Sequence, residues 1–134
     1  MIDRNWDEIV EALHDLDDID AAVRAAERLH RSATPDDVPR LLRLLQDESF
    51  FVREAAAWPL SELAGPQYLP ELLQAYQRGF DQRHDNDGFS TTLIDMATSS
   101  PVAVREALQP LIDSTNESLR NNATWLLEFC SKGA

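Results

Sequence analysis

The chain has 134 residues, 43% hydrophobic, with only four glycines and seven prolines, and 24 acidic against 12 basic residues set a formal net charge of −12. That length fits one domain, 1–134, able to bury roughly two-thirds of its unfolded surface, and glycine and proline are too scarce for the tight turns of a sandwich or barrel. The helix formers Ala, Leu, Glu, Gln and Arg dominate instead, so an all-α fold is expected, and the acidic balance argues against binding nucleic acid or an anionic membrane surface.

In chain order, the first 20 residues hold eight acids against Arg4 alone, an acidic cap that keeps a surface solvated or steers a basic protein partner. Within it, Trp6, Ile9, Val10 and Leu13 recur at helical spacing, with Asn5 placed to cap a short first helix. Asp18 or Asp20 then caps a second helix through Ala22, Val23, Ala26 and Leu29 to about Arg31, and Ser32 to Pro35 forms a turn. A third helix opens at Pro35 and carries Val38, Leu41, Leu42, Leu44 and Leu45 on a broad apolar stripe.

Ser49 caps a fourth helix that Gly65-Pro66 closes at Ala64. Pro59 inside it lacks an amide hydrogen, which predicts a kink near Ala55 to Trp58. Leu69, Leu72, Leu73 and Tyr76 predict a fifth helix ending before Gly79, and the polar run Phe80 to Gly88 reads as a loop. Phe89, Leu93, Met96 and Ala97 give a sixth helical face. Pro101 opens a seventh through Val104, Leu108, Leu111 and Ile112, and Asn116 caps an eighth ending near Cys130. Eight helices make four hairpins, with units of about 1–34, 35–66, 67–100 and 101–134.

Two of those units repeat each other 67 residues apart. Leu41, Leu44 and Leu45 recur as Leu108, Leu111 and Ile112, and Val52, Arg53, Ala56, Trp58 and Leu60 recur as Leu119, Arg120, Ala123, Trp125 and Leu127. A helix pair of this kind cannot bury its apolar stripe alone and does so only against its neighbours, so the repeat specifies a stacked α-solenoid without specifying a chemistry.

On these residues the chain resembles the HEAT repeat family, and in particular the short bacterial form related to phycobilin lyase HEAT-like repeats. The resemblance rests on paired leucines in a first helix, a loop acid (Asp47, then Asp113) and the second-helix motif Val52-Arg53, Ala55-Ala56 and Leu60, repeated as Leu119-Arg120, Ala123 and Leu127. The acid-to-arginine spacing is six residues in one copy and seven in the other. Residues 67–100 fit by period, and Val23-Arg24-Ala25-Ala26 carries the motif in the first unit. The resemblance implies stacked antiparallel helix pairs whose second helices line a concave, protein-binding side. It also implies a structural role for Arg53 and Arg120, each paired with the loop acid of an adjacent repeat.

Trp58 and Trp125 fall beside the apolar stripe, so each either packs between second helices or serves as an aromatic anchor for a partner. The proline expected to tilt Trp58, and Phe129 one turn beyond Trp125, predict that Trp125 is the more buried. Glu54 and Glu62 flank Trp58, and Asn121 lies beside Trp125. Together with His84, Asp85 and Asp87 in the polar run, and Thr91 and Asp95 beyond it, these are the expected partner-binding residues.

The polar run is no calcium loop, because Arg83 and Ile94 stand where an EF-hand needs its first acid and its bidentate glutamate, so no metal is expected. No nucleotide, hydrolase, zinc-protease or CxxC signature occurs, His14, His30 and His84 are scattered, and Cys130 sits on an apolar face as a buried thiol. No catalytic residue and no cofactor are expected. A lone cysteine, the lack of a basic-then-apolar start, and no run near 18 apolar residues predict a cytoplasmic protein. Eleven arginines against one lysine suggest a bacterial source. The expected function is a non-catalytic protein-binding module. The alternatives are an inhibitor or immunity protein masking a basic toxin such as a nuclease, and an accessory lyase acting on a chromophore protein.

Overall fold

The computed structural model describes residues 4–130, with the side chain of Arg4 excepted. Part of the acidic cap (Asp3, and the Arg4 side chain) and the end of the fourth unit (131–134) therefore lie outside the described residues. Within them the chain is an all-α repeat solenoid without a strand: α1 (Arg4–His14), α2 (Ile19–Ser32), α3 (Val38–Leu44), α4 (Phe50–Ala64), α5 (Leu69–Asp81), α6 (Asp87–Ser99), α7 (Pro101–Leu108) and α8 (Glu117–Leu127). Single 3-10 turns at Pro35–Asp37 and Gly65–Tyr68 lead into α3 and α5.

Caps explain most of these boundaries. Asp18, not Asp20, caps α2 by accepting the Ala21 amide at 3.1 Å, Ser49 caps α4 through Val52, and Asn116 caps α8 through Leu119. Asn5 lies inside α1 and accepts from Arg28 Nη2 at 2.9 Å, so it ties α1 to α2 instead of capping. Thr34 and Asp37 form a capping box around the 3-10 turn, which delays α3 to Val38. Helix α7 stops at Leu108, earlier than its apolar spacing predicts, and Leu111 and Ile112 pack from the following turns.

Helix α4 is the centre of the stack, with α2, α3 and α6 around it. Ala55, Ala56 and Ala57 are all buried, because small side chains let three neighbours approach one helix. The helix runs through Pro59 without a break, and Gly65, at φ 59°, ends it. Leu13, Leu29, Leu41, Leu45, Val52, Leu60, Leu72, Phe89, Leu93, Val104, Leu108 and Leu126 belong to one continuous core. Each such burial contributes about 1.5–3 kcal/mol, and Leu60→Ala at its centre would cost about 2–5 kcal/mol.

The pairing is not uniform along the stack. Helices α1–α2 and α3–α4 pack as close hairpins, whereas α5 packs chiefly against α8, and α6 against α4 and α7. Between α5 and α6 sit large side chains: the Tyr76 ring meets Phe89 at 5.6 Å, and its hydroxyl shares a 2.7 Å hydrogen bond with Ser90.

The polar run also differs from its reading as a loop. Helix α5 continues past Gly79 to Asp81, and α6 starts at Asp87, leaving only 82–86 between them. Inside the helix, position 79 takes glycine because the buried Asn86 amide lies on it: a Cβ there would collide with Asn86 Oδ1. Asn86 Nδ2 donates to the Tyr76 carbonyl at 2.8 Å. A glycine that reads as a helix stop is here the seat of a neighbouring side chain.

Candidate functional site

The second helices α2, α4, α6 and α8 stand side by side in that order, each packed on the next. Position 58 on α4 faces this row, and the period of the helix sets Glu54 and Glu62 about one turn to either side of it. Trp58 is 39% exposed. The His30 ring from α2 stacks on it, with centroids 3.7 Å apart and planes 10° from parallel, and His30 Nε2 meets Glu62 Oε2 at 2.6 Å. One indole face is thus covered by a histidine whose other contact orders a glutamate.

Glu54 leans the other way, towards α6. Its carboxylate lies over Gly88, where a Cβ would stand 2.9 Å from Oε1 and push the side chain aside. Burial, and then the Asp85 charge, push the Glu54 carboxyl above its ordinary range. On α6, Asp87, Thr91 and Asp95 are exposed at successive turns, with the Thr91 hydroxyl donating to the Asp87 carbonyl at 3.0 Å.

Charges are segregated across the row. Helix α6 has no cationic residue, and the arginine of α4, Arg53, is fully buried. Arg120 of α8 is half-buried and donates to the Ser114 carbonyl at 3.1 Å. Besides Arg53, the charges of α4 and α6 are therefore the half-buried Glu54 and the exposed Glu62, Asp87 and Asp95, and the exposed cations of the flanking segments are Arg24 and Arg31 on α2 and Arg83.

His84 and Asp85 are exposed, and both are held by local contacts. His84 stacks on Phe50 at 4.4 Å, its amide donates to the Gly79 carbonyl, and Asp85 Oδ1 accepts the Asp87 amide at 2.9 Å. No three His, Cys, Asp or Glu side chains among the described residues gather as a metal-holding group. Burial pushes the Cys130 thiol up, away from the thiolate a nucleophile needs.

Trp125 occupies the same motif position in α8 with different surroundings. It is half-buried, lies 5.4 Å from Tyr76 in a near-parallel stack, and meets Phe129 edge-on at 5.4 Å. Asn121, one turn back, is exposed.

The motif arginines and acids are likewise unequal. Arg53 donates to the backbone carbonyls of Asp47 and Glu48 and to Gln82 Oε1 at 2.6 Å. It thus holds its own loop and the next unit through neutral acceptors, where the family resemblance implies an ion pair with an adjacent acid. The Asp47 carboxylate takes the Ser49 amide at 2.8 Å and His14 Nε2 at 2.8 Å. His14 Nδ1 faces the Val10 carbonyl, also at 2.8 Å. A carbonyl and a carboxylate only accept, so both ring nitrogens must carry protons to satisfy both contacts. The hydrogen bond to Val10 and then that to Asp47 raise the His14 pKa above 6.5, against the opposing effect of burial. Asp113 is exposed.

The ties from His14 to Asp47, His30 to Glu62, Arg53 to Gln82 and Arg78 to the Gln46 carbonyl span 33, 32, 29 and 32 residues, one repeat each. The histidine ties were missed in the sequence because each residue stands alone there; asking which polar residues lie one repeat apart would have found them.

The HEAT repeat family model matches residues 7–85, from α1 through α5 into the loop after it. The match takes in the first unit, where the motif is shortest, and stops before the second tryptophan copy. No curated protein and no solved structure matches the chain. HEAT repeats generally mediate protein interaction and are typically non-catalytic scaffolds. With more than half of its length matched and its helices stacked as repeats, the chain belongs to the HEAT repeat family.

Proposed function

We propose that this protein is a non-catalytic binding module that holds a basic partner protein on the α4–α6 face. The observation that carries the reading is Trp58: a large aromatic left 39% exposed, braced by His30, on a face whose exposed charges are all acidic. Tryptophan dominates interface energetics where neighbouring groups hold it rigid, because less freedom is lost on binding. The acidic face speeds the encounter with a cationic surface and disfavours phosphate backbones. An inhibitor that masks a basic toxin would use the same face, and the net charge of −12 favours that second reading. A cytoplasmic setting is part of the proposal, on the strength of one buried cysteine. Among the described residues no helix is long and apolar enough to cross a membrane.

Photo-crosslinking residues placed at Thr91 on the face and at Gln74 on α5 test it in the source cells. A partner trapped from position 91 and not from 74, and lost on Trp58→Ala, is the expected result. Equal trapping from both positions, or none from position 91, would overturn it.

A further inference from the structure

We propose that Trp58, with His30 behind it and Glu54 and Glu62 on either side, is the receptor for an arginine side chain of the partner. The inference rests on the binding reading above and adds the chemistry of what binds. Tryptophan is the best aromatic acceptor of a cation, and the covered face of the indole leaves the other for a ligand. Glu54 and Glu62 start one turn before and one turn after, so a cation over the ring has an acidic side chain rooted to either side of it, that of Glu62 within reach of the His30 ring. Arginine suits this arrangement better than lysine. Its planar guanidinium stacks on the indole while its edges donate to carboxylates, whereas an ammonium is a compact, strongly hydrated point charge.

The site is also prepared before anything binds. The contact between His30 Nε2 and Glu62 at 2.6 Å orders one carboxylate together with the ring behind the indole, which reduces the ordering cost of binding. No cation of α4 or α6 pairs with Glu54 or Glu62, and the partner of Glu62 is the His30 ring. Burial, and after it the Asp85 charge, hold the Glu54 carboxyl pKa up, and an incoming cation draws it back down.

The protein itself contains the completed version. The Arg40 guanidinium lies 4.1 Å from the Trp6 ring centroid and also donates to Asp37. An arginine stacked on an indole and held by an acid joins α1 to α3 there. At Trp58 the indole and the acids are present, and the arginine is left to the partner.

The test uses the full wild-type chain labelled with 15N, whose three indole N–H signals report Trp6, Trp58 and Trp125 separately. The probe is an acetylated, amidated peptide alternating glycine with three arginines, compared with its lysine counterpart at about 0.15 M salt, where long-range attraction is screened. The expected result is a saturable shift of the Trp58 signal, about fivefold tighter for arginine than for lysine. Trp58→Ala should remove that preference, and Glu54→Gln with Glu62→Gln should weaken the arginine peptide by about tenfold. Equal affinity for the two peptides, binding unchanged in Trp58→Ala, or no shift at Trp58 would overturn the arginine assignment. If crosslinking from position 91 still succeeds in that case, the docking face survives and only its ligand is wrong; if it too fails, the binding reading falls separately.

Discussion

Helices α4 and α8 carry the same motif, yet they use it in opposite ways. In α4 the arginine is sealed inside, holding the Asp47 and Glu48 carbonyls and Gln82, while the tryptophan stands out at the surface. In α8 the arginine is half-exposed with the Ser114 carbonyl for a partner, and the tryptophan is drawn in against Tyr76 and Phe129. The difference follows from position in the stack. Helix α4 has second helices on both sides, so its loop can be tied forward to Gln82 and its outer face is left as the middle of a row. Helix α8 stands last in that row and turns its aromatic side chain towards α5, its main neighbour. A repeat motif therefore specifies where a side chain starts, and the neighbours decide whether it supports the stack or is offered to a partner.

The largest expected separation between the copies is in the tryptophans. Trp125→Ala should cost about 3 kcal/mol, because it empties a packed aromatic cluster. Trp58→Ala should cost under about 1 kcal/mol, since the side chain is open on one face. Urea unfolding of the two variants measures both, and equal losses would break the comparison.

The arginines should rank the other way. Arg53→Ala takes the charged donor from the Glu48 carbonyl and the Gln82 amide oxygen and leaves the Asp47 carbonyl to Arg78, at a cost of about 2–3 kcal/mol, against about 1 kcal/mol for Arg120→Ala. Denaturant midpoints at a common slope decide it. A larger loss at Arg120 would mean that the terminal copy is the main tether.

The smallest effect concerns the tie between the first two units. His14 has its pKa raised in the folded state, so its contribution is complete below pH 6.5 and disappears as pH rises through the folded value. Asp47 is held below 3.8: burial pushes it up, but the Ser49 amide and His14 outweigh this, so its contribution is lost only as pH falls through that lowered value. Both charges are present between the two limits. The pair is partly exposed to solvent, so the wild type should lose only about 0.5 kcal/mol more than His14→Ala between pH 5.5 and pH 8. Parallel denaturation of the two proteins at those pH values checks it, and no difference would show that the tie contributes nothing.

Much of the fold was legible because it depends on period and caps. The leucine stripes, Ser49 and Asn116 write their helices locally, and the arginine motif marks the repeat. Gly79 misled because its reason is Asn86, seven residues on, and Phe80 to Gly88 misled because polar composition does not distinguish a loop from exposed helix ends. The pairing of α5 with α8 was hidden for a deeper reason: spacing marks an apolar stripe without naming the helix that receives it. At the site, Trp58 and its glutamates could be placed on one face from the wheel alone. The brace from His30 could not, because it lies on another helix and only stacking brings it there.

Acrylamide quenching of single-tryptophan variants tests the central claim most directly, with Trp6 and one of Trp58 or Trp125 replaced by Phe. A neutral quencher is needed, because iodide would be repelled by Glu54 and Glu62 and would make Trp58 seem protected. The account predicts that Trp58 emits at longer wavelength and is quenched the more steeply, while Trp125 emits to the blue and resists. Equal emission and equal quenching, or the reverse order, would contradict the division of the motif into one copy that is presented and one that is sealed.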